Sequence, residues 1–455
     1  MNIEEAIKNA KRIHFIGIGG SGMCPLAEIL HSQGYYLTGS DNNETDTLKR
    51  IRNLGIPVVL GQKAENVDGA DMVVFTAALL PDNPELVAAR EKGIPTFERS
   101  KLFGYITRKY GNCVGVCGTH GKTTVTSMLV QILIENGFDP SAVIGGKLPL
   151  TGTNGRVGGS DILVCESCEY KDTFLDLAPD VAVILNVDCD HMEYFKTLEN
   201  LEKSFNKFAD MATKCVIYNG DDKNTCDSVK GICGKDLITF GRASTNDYYC
   251  GEVSWVNGAF AHFDVYFKGE KLGDVTLGVP GEHNVTNALA VIAAARYCGA
   301  SFEQCRASIL NFRGAGRRFE ILGKYNGAVI ADDYAHHPKE IEVTLNAAKK
   351  MDYKRVWAVF QPFTFSRTKM LLNDFAEALS IADKVVMTEI MGSREINTYG
   401  ISTQDLADEI DGSVWFDTFD KVADYVKANV GEGDLVITLG CGDVYKVAKK
   451  ILGIE

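Results

Sequence analysis

Apolar and polar positions along this 455-residue chain fall into a rhythm that is repeated in three blocks. From Ile13 to Phe97 the short apolar runs IHFIGIG, YYLTGSD, PVVLG, DMVVFTAA and IPTFE are separated by stretches with helical spacing. Short apolar runs bounded by turn residues read as strands buried on both faces, and their alternation with helices predicts a small parallel sheet. A join follows near FGYITRKYGN, Phe103 to Asn112. The second block runs from VGVCGTHGKTTVTSM through DILVCES, VAVILNV, CVIYNGDD and LITFG to a strand-rich segment around AHFDVYF and the buried-face helix GEHNVTNALAVIAAARYCG. Beyond NFRGAGRRFE, which has no clear periodicity, AVIADDY, RVWAVFQP, KVVMTEI, SVWFD and DLVITLG form another doubly wound pattern. The expectation is an α/β chain of three domains. Residues 1–108 would be Rossmann-like, 109–312 a central domain of P-loop type with a parallel-rich sheet, and 313–455 Rossmann-like again.

Composition fits that reading and narrows it. At roughly 100–200 residues per domain the length predicts about three, and a hydrophobic content of 45% with 45 glycines suits strands and helices joined by tight turns. The net charge of −13 argues against a nucleic-acid or anionic-membrane surface, so a phosphate ligand must be held by local features. The opening MNIEEAIKNAKR lacks the pattern of a secretion signal, and no apolar run approaches the ~18 residues of a membrane span, which points to the cytosol. Thirteen cysteines are scattered through apparent strands and helices, which reads as reduced, small core residues. Cys165 and Cys168 have the spacing of a zinc or redox half-site, but no second pair accompanies them. Four thiols, Cys24, Cys117, Cys168 and Cys441, flank the expected ligand sites. Cys24 and Cys117 lie near helix N-termini, where the dipole would activate an exposed sulfur.

Two stretches carry the chemistry. Gly17-Ile18-Gly19-Gly20-Ser21-Gly22 satisfies G-x-G-x-x-G between a strand and a helix, with Asp41 at the end of the next strand. Taken alone this is a dinucleotide fingerprint with Asp41 placed for a ribose hydroxyl, so an NAD-dependent oxidoreductase is one reading. A turn that merely packs helix on strand is another. The second stretch, Gly118-Thr119-His120-Gly121-Lys122-Thr123-Thr124, departs from the Walker pattern, which requires glycine at Val116. Its physics is the same: a glycine turn opens a helix, Lys122 can reach the β/γ-phosphates of ATP, and the Thr123 hydroxyl can hold Mg²⁺. Glu166 ends one following strand, and Asp188, Asp190 and His191 follow the next, so all are candidates for the same crevice.

Eight motifs in order, IHFIGIGGSGM, GTHGKTT, NVDCDHM, GEHNVTNALA, FRGAGRRFE, DDYAHHPKE, FQPFTFSRT and LGCGDVY, resemble the ATP-dependent Mur ligases of peptidoglycan synthesis nearly end to end. The likeness is greatest to the branch that joins L-alanine to UDP-N-acetylmuramate. By this resemblance the first loop, Gly17, Gly19, Gly20, Ser21, Gly22 and Met23 with Ser40 and Asp41, holds the diphosphate of a UDP-sugar. The second holds ATP, the C-terminal domain closing to bring Asn284 and Asn287 near adenine, Arg318 near the phosphates and Asp333 near the ribose. Mg²⁺ would be held by Thr123, Glu166 and His191. His336 and Arg367 would lie near the alanine, with His336 also a candidate general base. Lys122, Glu166, His191, Arg318 and His336 are thus the expected catalytic set.

The chain departs from the usual pattern at Cys168-Glu169-Tyr170-Lys171, where Asp-Glu-Ser-Asp is common, at Phe363 and Thr364 for histidine and arginine, and at Cys441 for alanine. These changes bear on amino-acid selection more than on nucleotide use. Rival readings are a murein tripeptide-recycling ligase of the same family, the oxidoreductase, and a nucleotide-gated binding protein without turnover. Oligomeric state is not legible.

Overall fold

The structure is a computed structural model describing residues 2–76, 79–393 and 395–454. It folds as two compact units, Met1–Gly251 with Asp264–Gly273 and Thr286–Ser308, and Glu252–Phe263 with Asp274–Val285 and Ile309–Glu455. Three sheets carry the α/β architecture.

In the first sheet all five strands are parallel, in the order Val58–Leu60, Tyr36–Asp41, Arg12–Ile16, Met72–Phe75, Thr96–Glu98. Every predicted run of this block is a strand, although Ala77 and Ala78 of DMVVFTAA lie outside the described residues. The chain order reverses at Arg12–Ile16, so the glycine loop that follows sits at a topological switch point, where open parallel sheets bind ligands. The helix Cys24–Ser32 covers the sheet with Leu26, Ala27, Ile29 and Leu30, an i, i+3, i+4 stripe that is fully or almost fully buried.

The second sheet places Asn112–Cys117 between Ile162–Glu166 and Val181–Ile184, all parallel. Its register sets Val116 beside Glu166 and Cys117 beside Ile184. The three strand ends named from sequence therefore open at one level. The helix Lys122–Glu135 packs on this sheet through Val125, Met128, Leu129, Ile132 and Leu133, none of them exposed, and each such side chain contributes roughly 1.5–3 kcal/mol.

The third sheet runs Glu320–Tyr325, Ala328–Asp333, Asp434–Leu439, Arg355–Phe360, Lys384–Thr388, Val414–Phe416 and is parallel except for its first strand. That antiparallel edge was not expected, nor was the hairpin of Ser141–Leu148 and Thr153–Arg156. Both are part-exposed and glycine-bearing, so neither shows the continuous apolar run of a central strand.

Candidate active site

Gly118 has φ 139° and Gly121 φ 88°, in the region that favours glycine. A Cβ on Gly121 would also come within 2.7 Å of Asn287 Oδ1, which places the buried Asn287 against the phosphate loop. The helix begins at Lys122, and the N–H groups of its first turn have no acceptor within the helix and are available to an anion. The strand-end segment after Ile184 clasps the turn. Thr119 N–H donates to Asn186 O at 3.1 Å and His120 N–H to Asn186 Oδ1 at 2.8 Å, while Asp188 N–H donates to Thr119 Oγ1 at 2.9 Å. Sequence reading singled out the acids and the histidine of ILNVDCDH and passed over this asparagine.

Lys122 Nζ donates to Gly118 O at 2.5 Å, to Thr119 O at 3.2 Å and to Glu169 Oε1 at 3.0 Å. Burial works against its charge, but the Glu169 carboxylate, then Cys168 and Glu166, outweigh it and raise the lysine pKa. Beside it the Thr123 hydroxyl donates to Glu166 Oε2 at 2.9 Å, and Gly145 N–H donates to the same oxygen at 2.8 Å. A hydroxyl and a carboxylate thus converge at the loop, as the sequence led us to expect. Thr124 lies in the first helical turn. His191 follows the next strand end. It caps the short helix Met192–Phe195 with φ 53°, its ring centroid is 4.7 Å from that of Tyr170, and its Nε2 is 3.8 Å from Asp190 Oδ2. Among the described residues no group of three or more His, Cys, Asp or Glu is gathered for a metal ion.

At the first loop Gly17 and Ile18 N–H donate to Ser40 O at 2.8 and 3.0 Å, and Gly19 N–H donates to Asp41 Oδ2 at 2.9 Å. Gly20 O accepts from Met23 N–H at 2.9 Å, tightening the turn into the helix. Asp41 therefore fastens the loop. Ser40 faces inward, its hydroxyl donating to the buried Glu85 at 2.6 Å. Two contributors were missed because they come from distant sequence. Asn154, on the unforeseen hairpin, donates to Ser21 O. Arg99 lies against Gly22, where a Cβ would meet its Nη1 at 2.8 Å, and brings a cation to the loop.

In the other unit Arg317 and Arg318 divide their tasks. Arg317 is locked by a 2.8 Å bond from Nε to the buried Asp332 and a second bond to Gly440 O. The Arg318 guanidinium instead lies 5.4 Å from the Tyr334 ring centroid, and its charge reaches Asp333, Glu340 and His283. Asp333 is buried and accepts from Phe319 and Ala335 N–H at 2.7 and 2.8 Å. Burial pushes its pKa up to about 6 against the pull of Arg318. Burial, with the Arg318 charge, brings His283 down to about 4, so it is neutral near pH 7. Asn284 is buried and donates to Pro280 O at 2.7 Å.

His336 Nδ1 lies 3.2 Å from Glu340 Oε2. Burial alone would raise the Glu340 pKa, but His336, with help from Arg318, holds it far below the usual carboxylate range. Arg367 stands on the short helix Phe365–Met370, and its Nη1 is buried with no hydrogen-bond partner among the described residues. An unmatched guanidinium nitrogen is costly unless an anion arrives to meet it.

The expected activation of Cys24 and Cys117 is corrected. All thirteen thiols are free, but Cys24 and Cys117 are fully buried. Burial lifts Cys24 to about 11, and burial followed by the Glu169 charge lifts Cys117 well above its usual value. Enclosure outweighs the helix dipole here. Iodoacetamide at neutral pH is expected to label the exposed Cys189 and Cys233 and to leave Cys24 and Cys117 unmodified. Peptide mass spectrometry would read this, and early labelling of either buried thiol would contradict it.

Three family models match in succession: "Mur ligase family, catalytic domain" over residues 12–110, "Mur ligase middle domain" over 116–295 and "Mur ligase, glutamate ligase domain" over 317–442. The chain is 43% identical over 99% of its length to the UDP-N-acetylmuramate--L-alanine ligase of Caldanaerobacter subterraneus, covering 99% of that protein. It is 42% identical to the ligase of the same name from Acetivibrio thermocellus, over 97% of this chain and 96% of that one. Among solved structures it is similar to UDP-N-acetylmuramate-alanine ligase MurC from Thermotoga maritima, with TM-score 0.84, 29% identity and coverage of 97% and 98%. A murein peptide ligase from Psychrobacter arcticus shares the fold at TM-score 0.75 and 23% identity, over 97% of this chain and 98% of that one.

Proposed function

The chain belongs to the Mur ligase family, and from that premise we propose that it joins L-alanine to the lactyl carboxylate of UDP-N-acetylmuramate at the expense of ATP. The observation that carries this reading is the end-to-end likeness to L-alanine ligases. Membership sets aside the oxidoreductase reading of the first loop.

The lactyl carboxylate has no leaving group, and ATP supplies one. A carboxylate oxygen attacks the γ-phosphorus and the bond to ADP breaks, giving an acyl phosphate. The alanine amine then attacks the acyl carbon, the amine proton is lost, and inorganic phosphate leaves with the C–O electron pair. Both steps crowd anions together, so cations and preorganised donors lower the barrier. We assign that work to Lys122 and the helix N-terminus at the ATP phosphates, and to Arg318. Gly118 to Thr124 with Asn287 form the ATP loop, and Asn284 and Asp333 belong to the nucleotide region. Gly17 to Met23, shaped by Ser40 and Asp41, hold the UDP diphosphate. Glu340 orients His336 for deprotonation of the alanine ammonium, and Arg367 takes its carboxylate. The division at 1–108, 109–312 and 313–455 follows these tasks.

The Thr123 hydroxyl and Glu166 carboxylate are hard oxygen donors, 2.9 Å apart. They fit Mg²⁺, which keeps several waters and takes phosphate oxygens beside few protein ligands. His191 is the third assigned ligand. The ion would neutralise phosphate charge. Glu166→Gln removes one carboxylate charge and is expected to raise the Mg²⁺ concentration for half-maximal activity about tenfold. A titration at saturating ATP checks this, and an unchanged requirement would take Glu166 out of the metal site.

Among the described residues no helix is long and apolar enough to cross a membrane. We assign the reaction to the cytoplasm, because it consumes ATP. Phosphate release with ATP, Mg²⁺ and UDP-N-acetylmuramate should require L-alanine. Release dependent on the murein tripeptide instead would favour the recycling reaction, and no release would reject ligase activity.

A further inference from the structure

We propose that Glu169 is a positioning residue that acts through Lys122, serving as the counter-ion of its ammonium in the nucleotide-free protein and yielding it to the phosphates of ATP. An ammonium has three N–H donors. All three acceptors here are on the protein: Gly118 O, Thr119 O and Glu169 Oε1. A phosphate oxygen gains Lys122 only when one of them lets go. The two carbonyls are neutral and belong to the turn itself. Glu169 is the charged one, and it competes with phosphate for the same proton.

The setting of Glu169 argues against a role in packing alone. The residue is 1% exposed, and its second oxygen, Oε2, is buried without a hydrogen-bond partner among the described residues. A buried carboxylate left half-matched is costly, and such groups in folded proteins call for an explanation beyond stability. The spacing supplies one. Glu166 and Glu169 leave the same strand end three residues apart, the first bonded to Thr123 and the second to Lys122. Consecutive residues of the phosphate loop are thereby each held by one carboxylate.

Two consequences run in opposite directions. Without the carboxylate, Lys122 binds nucleotide phosphates with no charged competitor, so affinity rises. ADP then departs more slowly, because no anion takes the ammonium back, and turnover falls. The inference rests on the assignment of ATP to this loop. In Glu169→Gln the affinity for ADP in EDTA, measured by calorimetry, should tighten about tenfold, the effect of losing one charge-assisted competitor. Both kcat and KM for ATP should fall. Glu169→Asp should return both toward wild type, and UDP-N-acetylmuramate affinity should not move in either variant. In a Lys122→Ala background the substitution should leave ADP affinity unchanged. Unaltered or weaker ADP binding in Glu169→Gln, or an equal effect without Lys122, would overturn the proposal. Failure of the wild-type chain to bind ADP would instead reject the ATP assignment.

Discussion

Lys122→Ala is expected to lower ligation by about a thousandfold or more, since removing a single donor aimed at developing transition-state charge costs 10²–10³ and this one is a full cation. UDP-N-acetylmuramate should still bind with near wild-type affinity. Its assigned loop, Gly17 to Gly22, is built on a different sheet and held by Ser40, Asp41 and Asn154. The variant has a structural cost that must be separated from the catalytic one. Lys122 and Glu169 have side chains only 14% and 2% exposed, and breaking such a pair from one side costs roughly 3–5 kcal/mol. Lys122→Ala should therefore melt lower than wild type, and Lys122→Ala/Glu169→Gln should recover most of that loss without recovering turnover. Calorimetry with UDP-N-acetylmuramate on both proteins decides the assignment. A loss of sugar-nucleotide affinity as large as the loss of turnover would mean that the two loops are assigned the wrong way round.

What was legible in the sequence is what local chemistry dictates. The turn from Gly118 to Thr124 shows itself because positive φ demands glycine and a helix N-terminus follows. Glu166 was legible because it ends a strand, and the register beside Val116 then carries it to Thr123. Asp41 was found for its position but serves the loop backbone through Gly19. Arg99, Asn154 and Asn186 were not found, because each reaches its loop through tertiary register and no short motif marks it. Glu169 was visible only as the one residue of Cys168-Glu169-Tyr170-Lys171 that keeps the family pattern. Its meaning lies in the bond to Lys122, 47 residues away in sequence. The reading of the cysteines as reduced core residues held, but activation of Cys24 and Cys117 failed for the opposite reason: a local argument from helix ends was valid, and burial overrode it.

Arg367→Ala should raise the KM for L-alanine on the order of a hundredfold, the loss expected for a charge-assisted pair with a carboxylate, while the KM for ATP stays unchanged. The basis is the buried Nη1, which has no hydrogen-bond partner among the described residues. A neighbouring carboxylate, Glu395, is engaged with Ser366, whose N–H and hydroxyl both donate to it at 2.9 and 2.5 Å. The guanidinium thus carries one buried donor that meets no acceptor among the described residues, which is a cost to the free protein of about 1–3 kcal/mol. A site that stores such a cost gains it back when the missing anion binds. Removing the guanidinium removes both the cost and the gain, so Arg367→Ala should melt no lower than wild type even as it loses alanine. Arg367→Lys should fall between, because an ammonium supplies the charge without the planar fork that matches a carboxylate. Initial rates over L-alanine and ATP concentration, with a thermal melt on each variant, provide the check. Equal loss for both substrates, or a KM for alanine that does not move, would remove Arg367 from the amino-acid site and leave its unmatched nitrogen to another anion.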